Sequence, residues 1–526
     1  MPTRARIARL LLAAVIMASS VHARAVRAAD IRIAVRTDAS SIDPHYHVYV
    51  PNAAVAHHIF ASLVDADPRG RIVPNLAEAW RRTDDQTWEF SLRPGLVFHD
   101  GSPLTAEDVA FTFARAPKVP NSPSSFSQYT KLIERVEAVD ARTVRIHTKG
   151  PAPTLLIDIA NIGIIPKATE GATTADYNSG KTAIGAGPYK FVSWAPGDRL
   201  ELVKNPAYWA GAEPWDRVTI RPVANDGARV AAILSGDVDM IEGVPGVDRA
   251  RIAANPDLTL AECDAFRIIY MVMDSARDAS PGLSDLSGKP LERNPLKDAR
   301  VRRALSLAIN RQGLVDRLLS GQAHAAGQYV PPDVSGASPK LPPLPFDPDQ
   351  ARKLLREAGW GDGFSIVMAS SNDRFPNDAQ VAQAVGQMLA RVGIRSDVQT
   401  MPASILFSRG SKLDFSVILS GWVGNGEPSS PLVALMATFD PKTGMGPSNR
   451  GRWSNPAFDL ALGNALKTLD DGKRNAFYAE AAEIAVGEMG VVPVYFTVNS
   501  WATKKGLAYA ARGDEQTLAM SLRPAK

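Results

Sequence analysis

The sequence predicts a mixed α/β chain divided into more than one domain. Three observations carry this. Stretches of alternating, β-branched residues recur along the chain, and segments with apolar residues at helical spacing lie between them. Once an N-terminal leader is set aside, roughly 500 residues remain, too many for one compact core and enough for two or three domains.

The elements follow in chain order. Ile31-Arg32-Ile33-Ala34-Val35 alternates and reads as a strand. A polar loop runs from Arg36 to Val50, and an apolar-periodic helix starts near Asn52. Thr87 to Leu92 and Thr143 to Thr148 alternate like antiparallel strands. Thr105-Ala106-Glu107-Asp108 has the form of a capping box, with Val109, Ala110 and Phe113 on the buried face of the helix it opens. Asp298 caps a helix whose stripe is Val301, Ala304, Leu305, Ala308 and Ile309. Asp347-Pro348 opens another, with Asp as N-cap, Pro at the first helical position, Ala351, Leu354, Leu355 and Ala358 buried, and Gly359 as the stop. Phe364 to Ala369 is a strand. Val381, Val385, Met388, Leu389 and Val392 mark a helix closed by Gly393, and Ile394 to Thr400 is a strand again. This strand–helix–strand unit implies parallel pairing. Asp414 to Leu419 reads as a third strand. The Pro-rich stretch Pro331 to Pro348 reads as a long surface loop, and no internal repeat or low-complexity segment stands out.

The first residues bear on compartment. Arg4, Arg6 and Arg9 precede a short apolar run, Leu10 to Met17, and small residues follow, with Ala23-Arg24-Ala25 and Val26-Arg27-Ala28 both acceptable cleavage sites. Residues 1–28 therefore read as a secretory signal peptide, too short in its apolar part to span a bilayer. With no cysteine near the cleavage site, no lipid anchor is expected. In a Gram-negative cell the mature chain would be a soluble periplasmic protein. Cleavage removes five arginines and no acid from a chain of net charge +4, leaving one net negative charge, so the balance gives no reason to expect nucleic acid or a membrane as partner. Cys263 is the only cysteine, which excludes an intrachain disulfide and a cysteine-based metal site.

In open parallel sheets, ligands sit outside the carboxyl ends of the strands. Three loops leave strands at that end: Arg36 to Val50, Ser370 to Phe375, and Ser420 to Pro428. Each is rich in polar residues, and the third also in glycine. If the first belongs to one lobe and the others to a second, they face each other across a cleft.

Several segments together resemble the family 5 extracellular solute-binding proteins, the peptide and nickel receptors of ABC importers. They are Pro74-Asn75-Leu76-Ala77-Glu78-Ala79-Trp80, Leu92 to Gly101 with its Phe98-His99-Asp100-Gly101, and Leu104 to Val109. Further on come Gly185-Ala186-Gly187-Pro188-Tyr189, Asn205-Pro206-Ala207-Tyr208-Trp209, Asp298 to Leu305 with Asn310-Arg311, and Asp347 to Gly359. The resemblance implies a two-lobed periplasmic binding protein with a hinge and an extra subdomain inserted in the first lobe. Lobe I would comprise 29–62, 183–272 and 495–526, the insert 63–182, and lobe II 273–494. It implies capture of a peptide-like small molecule between the lobes and delivery to an inner-membrane permease with its ATPase subunits. It also implies a monomer that needs no cofactor and performs no catalysis. Binders of a metal chelate, haem, an opine or an oligosaccharide, and a secreted hydrolase, are the rival readings.

The resemblance also points to site residues. Arg374, in Arg374-Phe375-Pro376-Asn377, matches the context in which dipeptide receptors place an arginine on the ligand carboxylate. Its alternative is a solvated loop arginine or an ion pair to Asp373. Trp422 offers a rigid wall to a ligand or packs the lobe core. Dipeptide receptors carry an Asp shortly after this Trp, for the ligand amine; here the loop is one residue shorter, and Asn425 or Glu427 falls nearby instead. Thr37, Asp38 and Ser41 are the candidates from the first loop. His45, His47, His57 and His58 invite a metal reading, but no His-x-x-x-His spacing supports it, so no metal is expected. His99 reads as structural. Gly185-Ala186-Gly187 and Gly424-Asn425-Gly426 lack the partners of a phosphate loop and read as tight turns.

Overall fold

The computed structural model describes residues 30–525. The expected leader, 1–28, lies outside the described residues. β1 (Asp30–Val35) opens lobe I, and α1 (Val50–Ile59) follows the polar loop. The chain then leaves to build a separate four-stranded antiparallel sheet. Its strands are β2 (Ala77–Asp84), β3 (Thr87–Leu92), β4 (Ile133–Ala138) and β5 (Thr143–Thr148), in the order β2-β3-β5-β4. β3 and β5 occupy the stretches read as alternating, because Phe90, Val144 and Ile146 point into one core with Val109 and Phe113 of α2 (Ala106–Arg115). Asp108 takes the Thr105 backbone N–H at 2.8 Å, as a capping box requires. The insert is tied to lobe I by an ion pair: Arg115, at the end of α2, reaches Asp43 of the first loop at 2.7 Å, with both groups shielded from water.

The chain returns through β6 (Tyr189–Ala195), β7 (Arg199–Lys204), β8 (Arg217–Pro222) and β9 (Met240–Glu242). The sixteen-residue β10 (Leu258–Met273) then runs out of lobe I into lobe II. Lobe II holds α3 (Ala299–Leu307), α4 (Pro348–Glu357), β11 (Phe364–Ser371), α5 (Asp378–Ala390), β12 (Ile394–Met401) and β13 (Val417–Val423). β14 (Val491–Lys504) brings the chain back. Hydrogen bonding runs in the order β12-β11-β13-β10-β14-β9-β1-β8-β7-β6. Among the described residues, only β10 and β14 belong to both halves. Leu258 to Asp264 pairs with Lys504 to Val498 in lobe I, and Ile268 to Val272 pairs with Phe496 to Val491 in lobe II. Between them, three residues of β10 stand opposite Thr497 alone, a bulge at the crossing. The expected boundaries at 272/273 and 494/495 fall inside these two strands, on the lobe II side of the bulge.

The caps of lobe II act as read. Asp298 accepts from Arg300 N at 2.8 Å and Asp347 from Gln350 N at 2.9 Å. β11 and β12 pair in parallel from Phe364 opposite Ile394 to Ser371 opposite Met401, with α5 crossing between them. Two expectations need correction. The third strand is Val417–Val423, not 414–419. Ser420, Gly421 and Trp422 read as loop by composition, yet β10 continues alongside and supplies Tyr270, Ile269 and Ile268 as backbone partners. And Gly185 and Gly187 are not turn glycines with positive φ. They lie against the end of α1, where a Cβ on Gly185 would come within 2.0 Å of Ile59 O and one on Gly187 within 2.6 Å of Ile59 C. His99 fastens this segment, its Nε2–H donating to Gly187 O at 3.1 Å and its Nδ1 accepting from Gly185 N at 3.3 Å.

Because the atoms facing Gly185 are backbone, they cannot turn aside as a side chain would. Gly185→Ala should lower stability by about 1–3 kcal/mol, more than a surface Gly→Ala such as Gly463→Ala, where nothing stands within 4 Å. Urea unfolding followed by far-ultraviolet circular dichroism measures the difference, and equal midpoints for the two variants would show that α1 can give way.

Candidate functional site

A cavity of about 1010 Å3 lies between the lobes. Lobe I supplies the exit of β1, the start of α1 and the C-terminal segment around Glu515. Lobe II supplies the loop after β11 and the start of α5, and β14 forms the floor. A smaller hollow of about 340 Å3 sits on lobe I and the insert alone, where Arg93 lies 3.9 Å over the Trp209 ring.

Arg374 leaves the carboxyl end of β11, as the fold rule demands. Its loop is held from below: Asp378, in the first turn of α5, accepts the Arg374 backbone N–H at 3.0 Å. The guanidinium is mostly shielded from water, and the Phe407 ring lies 4.8 Å from its Cζ. Its Nε and Nη2 reach only Gly421 O, at 3.4 Å each, and no carboxylate pairs with it among the described residues. Asp373, the neighbour that could have claimed it, instead accepts from Ala403 N at 2.8 Å. Burial and the nearby Arg267 guanidinium both push the Arg374 pKa below its ordinary value. The Glu515 carboxylate nearby offsets part of this, but no carboxylate is hydrogen-bonded to Arg374, and one arriving in the cleft would supply that partner.

Across the cavity lie Arg36, Thr37 and Asp38, with Asp38 oriented by Gly197 N at 2.7 Å. Gly243 (φ +68) faces them, and a Cβ there would come within 2.5 Å of Arg36 Cδ, so the glycine leaves room for the arginine. On the floor, Trp501 Nε1–H donates to Thr517 Oγ1 at 2.9 Å, and Thr517 Oγ1–H donates to Glu242 Oε2 at 2.7 Å. Burial raises the Glu242 pKa, partly offset by this bond.

Arg374, Thr37 and Asp38 thus line one cavity from opposite sides. Four other candidates do not line it. Ser41 is buried behind the first loop, donating to Asn178 Oδ1 at 2.8 Å. Trp422 sits within β13, packs on the lobe II core and donates to Ser430 Oγ at 3.0 Å. The loop with Asn425 turns toward Gly70 of the insert and Phe266. Glu427 accepts from Ser429 N at 2.9 Å and stands 4.0 Å from Arg474. Sequence reasoning missed Arg267, Tyr495, Trp501, Glu515 and Thr517. All come from the hinge strands or the C-terminal segment, and no motif marks them.

The histidines are separately engaged. His45 accepts from Arg115 Nη1 at 2.9 Å and donates from Nε2 to Gly163 O at 2.9 Å. His58 donates from Nδ1 to Ala54 O at 2.6 Å and accepts from Ala519 N at 3.0 Å. His47 meets Ser40, and His57 meets Gln516. Among the described residues, no three His, Cys, Asp or Glu side chains gather as a metal ion would need.

Two lobes, joined by a pair of strands and enclosing a ligand-sized cavity with an uncompensated guanidinium, make the architecture of a binding protein. The family model for bacterial extracellular solute-binding proteins, family 5 (middle part), matches residues 71–443, and the chain belongs to that family. It is 30% identical over 493 residues to the glutathione-binding protein GsiB of Salmonella typhi, covering 92% of each chain. Among solved structures, HbpA2 from Haemophilus parasuis superposes with a TM-score of 0.81 at 22% identity, covering 94% of this chain and 100% of that one. The periplasmic binding protein DppA of Helicobacter pylori, in complex with the peptide STSA, gives 0.76 at 21%, covering 94% and 98%. Among the described residues, no helix is long and apolar enough to cross a membrane.

The histidine geometry sets a pH dependence. Burial is the main cause that brings His45, His58 and His99 down to about 4, from an ordinary 6.5. Their folded pKa lies below the unfolded one, so the unfolded chain binds the extra protons. Stability from these groups is complete above pH 6.5 and falls as pH drops toward 4. Between pH 6.5 and 5 each should cost about 2 kcal/mol. Urea midpoints across this range should fall steeply, and His58→Gln should flatten the slope by one proton; an unchanged slope would mean that His58 is not held neutral.

Proposed function

We propose that the chain is the periplasmic receptor of an ABC importer. As a soluble monomer it captures a peptide-like solute bearing a carboxylate in the interlobe cleft, and it presents the closed complex to an inner-membrane permease driven by ATPase subunits. The observation that carries the ligand class is Arg374, a shielded guanidinium at the carboxyl end of a parallel strand, facing the cavity with no acid of its own. The similarity to relatives named for glutathione binding favours the same class. We assign Arg374 to the ligand carboxylate and Thr37 and Asp38 to the opposite side of the ligand. Ser41, Trp422, Asn425 and Glu427 belong to the framework behind the wall. The role is binding rather than catalysis.

Two measurements test this. Mass spectrometry of ligand retained through native purification should find a carboxylate-bearing peptide-like molecule, and small-angle scattering should show the radius of gyration fall when that molecule is added back. An unchanged curve at proven saturation would count against closure. Arg374→Ala should weaken the retained ligand by about 2–5 kcal/mol, roughly 30-fold to several thousand-fold in Kd. Arg374→Lys should recover only part, since a point charge lacks the planar fork. The melting temperature without ligand should not fall, because the Arg374 side chain makes only long contacts to Gly421 O and no ion pair among the described residues. Wild-type affinity in Arg374→Ala would sink the assignment.

A further inference from the structure

A second arginine shares this corner of the cleft. Arg267 lies in the β10 bulge, where Ala265, Phe266 and Arg267 oppose Thr497 alone, and it lines the interlobe cavity. One edge of its guanidinium is fully occupied: Nε and Nη2 donate to the two carboxylate oxygens of Glu515 at 2.8 and 2.7 Å. Glu515 holds that position from a left-handed backbone, φ +65, which non-glycine residues rarely adopt and which tends to persist where function requires it. The remaining nitrogen, Nη1, is buried with no partner. It stands 3.7 Å from the point where a Cβ on Gly421 would lie, and Arg374 approaches the same residue through Gly421 O. Thr497 Oγ1, opposite the bulge in the same wall, is also buried and unpaired. Two guanidiniums therefore converge with Glu515 as the one carboxylate ion-paired to either, and the unmet donors belong to groups that line the cavity.

We infer that Arg267 is a second ligand-contacting arginine and that the solute is a peptide-like dicarboxylate whose acid groups are received by Arg267 Nη1 and Arg374. This rests on the reading of the cleft given above and deepens it. Glu515 is a positioning residue: by filling one edge of Arg267 it neutralises half of the corner's charge and fixes which edge is offered. A monocarboxylate would leave one buried guanidinium edge unsatisfied, which is how a polar site rejects the ligand lacking one group.

The test uses matched peptides that differ by one carboxylate: Ala-Glu against Ala-Gln, and glutathione against its glycyl monoethyl ester, titrated calorimetrically into the mature chain. The wild type should prefer the dicarboxylate of a pair by about 10-fold or more. Arg267→Lys keeps a cation for Glu515 but removes the free edge. It should level the preference within a pair by weakening the dicarboxylate more than the monocarboxylate, and the unliganded melting temperature, measured beside it, reports separately the loss of the two-point contact with Glu515. Arg267→Gln serves as a second variant, and Arg374→Gln should weaken both members of a pair. Equal wild-type affinities within a pair, or a preference that survives in Arg267→Lys, would overturn the inference. If both members then still lose affinity in Arg374→Gln, the proposed function stands without it. Failure of every peptide to bind the wild type would overturn the underlying reading, and this one with it.

Discussion

The pairing of β10 with β14 is the constraint on which the rest of the structure depends. These two strands alone belong to both halves of the sheet, so their geometry sets how the lobes face each other. The ladder is regular on the lobe I side and shifts register once more on the lobe II side, between Ile269 and Tyr270, and each strand is also bonded to a neighbour, β9 in lobe I and β13 in lobe II. At the crossing the ladder breaks for three residues of β10. The freed backbone groups are not left bare: Phe266 N donates to Gly513 O at 2.8 Å, and Phe266 O accepts from Gly424 N at 2.9 Å. Interruption of the ladder concentrates bending here, while loops from both lobes keep the polar groups satisfied. A hinge made of sheet rather than of a free linker keeps the lobes in register while the angle between them changes.

The same break explains where the charge lies. A regular strand alternates its side chains between faces, and an extra residue shifts that alternation. The bulge places Arg267 among the residues that line the cavity with Arg374. At Gly421 a Cβ would stand 2.8 Å from Ile269 Cδ1, so the glycine leaves room for that side chain beside the two guanidiniums.

What could be read from the sequence follows from how local each signal is. Strands β3 and β5, the caps at Asp298 and Asp347, and the unit from β11 through α5 to β12 are written in alternation, capping and helical period, and all stand where these signals put them. Arg374 was legible because a loop at the carboxyl end of a parallel strand has a defined destination. The end of β13 was not legible. Ser420-Gly421-Trp422 has loop chemistry, and only the distant β10 makes it a strand. Trp422 accordingly packs inside rather than lining the cleft. Arg267 and Glu515 lie 248 positions apart and carry no motif. Their meeting is a property of the crossing, which no window of sequence contains. Gly185 and Gly187 looked like turns because glycine usually means φ freedom, but there it means space for the end of α1.

Lobe II contains its own standard for telling a structural arginine from a binding one. Arg311 is fully buried and spends its donors on Pro493 O, Ser306 O and Ser306 Oγ at 2.9, 3.0 and 2.9 Å, fastening the helix end to the start of β14. Arg302 does the same with the carbonyls of Leu296, Lys297 and Glu488. Neither needs a carboxylate, because carbonyl oxygens already surround each guanidinium. Arg374 and Arg267 are less completely buried, and their donors are not used up: one has only long contacts to a single carbonyl, and the other keeps a bare nitrogen. A folded chain does not leave buried donors unmet without a reason, since each unmet donor forfeits the hydration it had in the unfolded state. Arg302 and Arg311 are satisfied by the fold. On the reading proposed above, Arg374 and Arg267 take their remaining partners from a ligand that enters the cleft, which is what would make the gap between the lobes a binding site.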